Sequence, residues 1–152
     1  MTPDPATGVR LIAVPTGTAA ALRAGDAAVA GRLRPAPGWP WETTLAVLEL
    51  GIADRLVLLD GEVVGECGVK AVDAHGVAEL GWGLCPAVRG RGVASATVRL
   101  LVADALTRPG VRAVEAQVGE DNAASLRAAR AGGLVDVGAG EPGHRRLRQR
   151  LT

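Results

Sequence analysis

The chain has neither phenylalanine nor tyrosine and only three tryptophans. Its core must therefore be aliphatic, and tyrosine is excluded as a general acid in any reaction it performs. No stretch approaches the roughly 18 to 20 unbroken apolar residues of a membrane span. The opening MTPDPATGVR lacks the basic-then-apolar order of a secretion signal. These absences predict a cytoplasmic protein with no membrane partner. Neither sign of charge dominates, since 17 Lys and Arg stand against 16 Asp and Glu for a formal net charge of +1. That balance argues against nucleic acid as the main partner. No His, Cys or carboxylate cluster has metal-ligand spacing, so no metal site is expected.

What the chain does have is apolar bulk: 48% of its 152 residues are hydrophobic. Mean hydropathy is +0.21. A single folded domain spanning residues 1–152 is expected.

Alternation and turn residues predict the element order β, α, α, βββ, α, β, α, ββ. Val9 to Val14 reads as a strand ended by Pro15, followed by an alanine-rich helix capped by Thr16 or Thr18 and stopped by Gly25. DAAVAGRL predicts a second short helix capped by Asp26. RPAPGWPWETT holds three prolines and two tryptophans, Trp39 and Trp41, and reads as a loop. ETTLAVLELG looks helical. Asp60-Gly61 between two aliphatic runs is a strong hairpin signal, and a second hairpin is expected at Asp73 to Gly76.

A four-residue loop there pairs Val72 with Val77, Lys70 with Glu79 and Cys67 with Trp82. Cys85 then falls opposite Val64, about 10 Å along the strands from Cys67, too far for a disulfide. After residues 93–106, apolar enough for a mostly buried helix, come the strand VRAVEAQV and the helix NAASLRAARAGG. Asn122 or Asp121 caps that helix, and Gly132-Gly133 closes it. LVDVG and the basic HRRLRQRL supply the last two strands, the arginines of the second expected on its wet face.

The segment RGRGVA, Arg89 to Ala94, joins the meander to the buried helix. Glycines at 90 and 92 permit close backbone approach, Arg89 and Arg91 add positive charge, and a helix N-terminus follows. This is an arrangement for binding phosphate. A Walker loop is excluded because no Gly-x-x-x-x-Gly-Lys-Ser/Thr run exists. A dinucleotide fingerprint fails because Ser95 stands at the third glycine and an antiparallel meander precedes it.

RGRGVA matches Arg/Gln-x-x-Gly-x-Gly/Ala, the coenzyme A pyrophosphate loop of the GNAT acetyltransferases. The wider pattern resembles the subgroup that includes the ribosomal-protein N-terminal acetyltransferases. Trp82, Leu84, Pro86, Arg89, Gly90, Gly92 and Ala94 fit its first motif, and Asn122, Ser125 and Arg127 its second. Gly133-Leu134 departs from it, with Leu in place of Phe.

The resemblance implies an α+β fold. Its central, mostly antiparallel twisted sheet has six to seven strands, splays between strands 4 and 5, and is flanked by about four helices. It implies transfer of acetyl from acetyl-CoA to a primary amine, either a peptide N-terminus or a small-molecule amine, by a monomer or homodimer. Amides from Arg89, Gly90, Arg91, Gly92, Val93 and Ala94 would hold the pyrophosphate. Backbone near Trp82 to Leu84 would meet the pantetheine, with a bulge supported by Gly81 and Gly83, and Asn122 would contact it too.

Glu79 is the expected general base and acceptor contact; its alternative role is a cross-strand ion pair with Lys70. Glu115 is a second choice. Ser125 is the expected proton donor, because Ala129 occupies the position where a tyrosine often stands. Arg127 or Arg130 reads as either a contact to the 3′-phosphate or a solvated helix residue. Trp39 and Trp41 are expected to line the acceptor pocket. A non-catalytic acyl-CoA-binding module of the same fold is the alternative.

Overall fold

The computed structural model describes residues 3–25 and 33–150. Among them are eight strands: β1 Arg10–Ala13, β2 Arg34–Pro35, β3 Arg55–Leu59, β4 Glu62–Val72, β5 Val77–Leu84, β6 Ala113–Gly119, β7 Val135–Ala139 and β8 His144–Arg150. Four α-helices accompany them: α1 Thr18–Arg23, α2 Thr44–Glu49, α3 Val93–Leu106 and α4 Ala123–Ala131. The expected mixed α+β sheet fold is thus observed. The helix expected from Asp26 falls outside the described residues.

The strands form one sheet in the order β1-β3-β4-β5-β6-β8-β7, with β2 attached to β4. The strand beyond the expected count is β2, which lies parallel to Glu62 and Val63 within the proline-rich loop. Pro35 lacks an N–H, so this stretch carries little strand signal. It pairs with β4 just beyond the point where β5 leaves it.

Local chemistry sets most boundaries. Asp60 and Gly61 both have positive φ, 51° and 78°, the conformation a two-residue hairpin requires. Asn122 caps α4 by accepting from Ser125 N at 3.2 Å, which decides between it and Asp121. Gly133, at φ 99°, ends that helix. The cap of α1 is Gly17 in the left-handed region, and neither Thr16 nor Thr18 takes that position. Thr18 instead donates its hydroxyl to Pro15 O at 2.7 Å.

The second hairpin corrects the expected register. Val72 pairs with Ala78 and Ala71 with Glu79, and a bulge at Lys70 restores Val69 to Leu80 and Cys67 to Trp82. The turn is one residue longer than expected and the bulge adds one residue to β4, so the two differences cancel farther along. Lys70 therefore does not stand opposite Glu79. Both cysteines are free and buried, and Cys85 N bonds Val64 O at 2.8 Å as the register demands.

The core is aliphatic. Ala78, Leu80, Val114, Ala116, Val118 and Leu147 alternate along β5, β6 and β8 and pack with Val93, Ala96, Val98, Leu101 and Ala105 of α3. α3 crosses from β5 to the parallel β6 over this face. α4 packs against α3 so closely that a Cβ at Gly132 would lie 2.2 Å from Val98 Cγ1. On β8, Arg148 reaches Glu115 at 2.5 Å and Arg145 reaches Asp136 at 2.8 Å. The basic strand is paired with carboxylates and lies inside the sheet, between β6 and β7.

Candidate active site

The site follows from a failure of pairing. β5 and β6 run together only from Val77–Ala113 to Leu80–Ala116. Beyond that point β5 stays with β4 to Leu84, while β6 stays with β8 to Gly119. The strands part where the resemblance implied, between the fourth and fifth strands when β2 is left out of the count. No bulge occurs at Gly81 or Gly83, whose pairing to β4 is regular. The gap is made by divergence of the two strands, and the bulge lies on β4 instead.

The glycines do something else. Gly68, Gly81 and Gly83 share the face of Glu66, since Glu66 pairs with Gly83 and Gly68 with Gly81. A Cβ at Gly68 would lie 2.6 Å from Asp54 N, so glycine there lets the segment after α2 cross the sheet. At Gly81 a Cβ would meet Lys70 Cε at 2.5 Å, and at Gly83 it would meet Trp41 Cζ2 at 2.9 Å. These missing side chains are the space into which Lys70 and Trp41 fold.

A cleft of about 300 Å³ results. One wall is Leu80 to Gly83 of β5, and the other is Gln117 to Gly119 of β6 with Asn122 and Ser125 at the start of α4. Trp41, Thr43 and Val47 close it from the tryptophan loop and α2, and Glu66 and Lys70 reach it from β4. Trp82, Asn122, Ser125 and Trp41 are therefore brought together as expected site residues. Ala129 is fully buried in the core and does not line the cleft. Ser125, on the same helix, does line it, as does Thr43 from the opposite side.

The remaining expected residues lie elsewhere. Leu84 packs partly buried against the core. Arg89, Gly90, Arg91 and Gly92 form an exposed loop beyond the end of β5, where Gly90 and Gly92 have φ of 75° and 74°. The first bond of α3 runs from Ala96 N to Gly92 O, so the amides of Val93, Ala94 and Ser95 have no acceptor within the helix. No side chain caps this end, and a Cβ at Gly90 would meet nothing within 4 Å. Neither Arg89 nor Arg91 forms an ion pair among the described residues. Uncapped amides, an open approach and two free guanidinium groups suit a pyrophosphate.

Glu79 is half-buried on the same face as Gly81 and Gly83, but it does not line the cleft. It stands beside Glu115 on β6, which Arg148 binds. Trp39 is buried at 3% exposure and donates its indole N–H to Glu66 at 2.7 Å. Arg130 lies 3.8 Å from Asp136, and Arg127 is exposed.

Glu66 is the residue that sequence reasoning passed over. It is only 4% exposed, and it lines the cleft. Burial pushes its carboxyl above the ordinary range, against hydrogen bonds from Trp39 and Thr44 that favour the ionised form. A charged residue on a strand, here between Gly65 and Cys67, reads as solvent-facing, so the one available signal was its position opposite a glycine. Next to it, burial raises the Cys67 thiol, which argues against a thiolate nucleophile at neutral pH.

The sequence matches the family model described as an acetyltransferase (GNAT) domain over residues 18–135. No curated protein matches the chain. Among solved structures it is similar to Mycobacterium smegmatis RimJ in complex with CoA-disulfide, at 22% identity and TM-score 0.68, covering 96% of this chain and 83% of that one. It is also similar to RimL, a ribosomal alpha-N-protein acetyltransferase, at 18% identity and TM-score 0.64, covering 93% and 92%. The aminoglycoside acetyltransferase AAC(6')-Ib in complex with coenzyme A gives 20% identity and TM-score 0.65, covering 93% and 94%. At such identities these likenesses concern the fold. The family model spans most of the sequence, from α1 to the start of β7, and the chain belongs to the GNAT acetyltransferase family.

Proposed function

We propose that the protein transfers acetyl from acetyl-CoA to a primary amine, a peptide N-terminus or a small-molecule amine, and that residues 1–152 are one acetyltransferase domain. The parting of β5 from β6 beyond Leu80 and Ala116 carries this reading. It leaves the backbone groups of Trp82 to Leu84 that face away from β4 without a strand partner, at the mouth of a cleft lined by Ser125.

Acetyl-CoA supplies a thioester carbonyl that an amine can attack. The residues of the chain hold, polarise and move protons. Amides of Gly90 to Ala94 bind the pyrophosphate, the expected Arg89 amide being already bonded to Pro86 O at 3.1 Å, and the free edge of β5 binds the pantetheine and polarises the carbonyl. Asn122 both caps α4 and lines this channel. Ser125 donates a hydrogen bond to the departing sulfur and relays to it a proton that water restores to the hydroxyl; a thiol of pKa about 8.5 leaves readily enough for this to serve. Glu79 accepts the amine proton through water, since it shares the cleft's face without lining it.

A non-catalytic acyl-CoA-binding module is favoured by one arrangement: Glu79 lies off the cleft while Ala129 fills the tyrosine position. Release of free CoA thiol from acetyl-CoA, measured against a panel of amines, separates the two. Amine-dependent release supports the transferase, and cofactor binding without it supports the module. Ser125→Ala and Glu79→Gln are each expected to lower kcat about ten- to a hundredfold with acetyl-CoA affinity retained. If neither variant slows turnover, these two role assignments are wrong.

A further inference from the structure

The cleft contains a buried carboxylate that the reaction as described does not use. We propose that Glu66 is the seat of the acceptor's ammonium group and so determines that the acceptor is a primary amine in cationic form. This rests on the acetyltransferase reading and assigns the acceptor end of the same cleft.

Three observations carry it. Glu66 is 4% exposed and lines the cavity, yet it forms no ion pair among the described residues. A carboxylate withdrawn from water without a counter-ion is unfavourable, and a cation entering the cavity relieves that cost. Trp39 bonds one of its oxygens, with Nε1 2.7 Å from Oε2, and Thr44 is the other hydrogen-bond partner of the carboxylate; both are neutral and leave its charge unbalanced. A neutral glutamine would satisfy that indole equally well, so the hydrogen bond alone does not call for a carboxylate.

The other oxygen, Oε1, lies beside Gly83 on the cleft wall. A methyl group at Gly83 would lie 4.0 Å from Glu66 Oε1 and 2.9 Å from Trp41 Cζ2, so carboxylate and ring converge on one small space. Trp41 is held by its own bond from Nε1 to Thr43 Oγ1 at 2.7 Å. An anionic oxygen beside an aromatic ring is a setting that binds ammonium through charge-assisted hydrogen bonds and cation–π attraction. The one cation among the described residues on the cleft wall, Lys70, lays its chain over Gly81 and does not pair with Glu66.

The test is a tryptophan-fluorescence titration of the full chain in the presence of CoA, with two matched pairs of probes. Alanyl-alanine against lactoyl-alanine represents a peptide N-terminus, and n-butylamine against n-butanol represents a small amine. The wild type is expected to bind the ammonium member of at least one pair tenfold or more tightly, and the pair that shows it identifies the source. Glu66→Gln keeps an acceptor for Trp39 and is expected to abolish the preference while CoA affinity stays the same. No preference in the wild type, or a preference that survives in Glu66→Gln, overturns the proposal.

If Glu66→Gln fails to fold by circular dichroism, Glu66→Asp replaces it. That variant keeps the charge and is expected to keep a reduced preference; equal weakening of charged and neutral probes overturns the proposal. Thiol release on the same samples tells the two readings apart. An ammonium preference without amine-dependent release would sink the transferase and leave the seat standing.

Discussion

The two ends of the cleft are built from different materials. The cofactor end proposed above is backbone: the uncapped amides of α3, the glycines at 90 and 92, and the free edge of β5 beyond Leu80. The acceptor end proposed above is side chain: Trp41 and Glu66, the latter held by buried Trp39 through a hydrogen bond across 27 residues of sequence. Backbone sites depend on conformation and tolerate little change in φ. Side-chain sites depend on burial and can be retuned one residue at a time.

The largest effect should come from breaking the backbone end. At Gly92, φ of 74° disfavours any β-branched residue, and the position opens α3. Gly92→Val is expected to weaken acetyl-CoA binding about a hundredfold, roughly 2.7 kcal/mol, by calorimetric titration, while the ammonium preference at Glu66 persists in the probe assay. Loss of both together would show that the two ends are not independent.

A smaller effect of opposite sign belongs to the side-chain end. Burial raises the Glu66 pKa above its ordinary value of 4.5, so the folded state holds this proton more tightly than the unfolded chain. Stability from that group is full below the ordinary value and is lost as pH rises through the raised one. Glu66→Gln removes the loss and is expected to raise Tm at neutral pH, at about 2–4 °C per kcal/mol for a chain of this length. The gain should shrink as the pH falls toward 4.5. A lower Tm at neutral pH would mean that the charge itself holds the fold.

The smallest effect tests the junction of the two ends. Asn122 caps α4 through Ser125 N, and Asn122→Ala is expected to cost about 1 kcal/mol of stability in denaturant unfolding. A much larger loss in kcat than Ser125→Ala shows would mean that Asn122 touches the reacting groups.

Much of the local geometry at the proposed cofactor end was legible in the sequence. Glycines between a strand and an apolar helix, and the Asn-x-x-Ser spacing, act through neighbours a few residues away, so their conformations are set locally. The type of the first hairpin was readable for the same reason, because Asp60 and Gly61 are residues that accept positive φ. The second hairpin shows the limit. Its longer turn and the bulge at Lys70 cancel by Cys67 and Trp82, so a register correct at the cysteines was wrong at Glu79. No residue type marks a bulge when the strand on both sides is equally apolar.

The acceptor end was harder to read, and the reason is burial. Glu66 sits in VVGECGV, where its charge makes it read as a solvent-facing strand residue. Residues 39–44 and 53–54 cover that face, and they can do so because Gly68, Gly81 and Gly83 lack side chains there. Turns, caps and the phosphate loop are decided by steric limits within a few residues, which a linear sequence carries in full. Which carboxylate loses its water is decided by segments that meet only after folding, and this chain buried Glu66 while Glu79, the carboxylate favoured by its motif, stayed off the cleft.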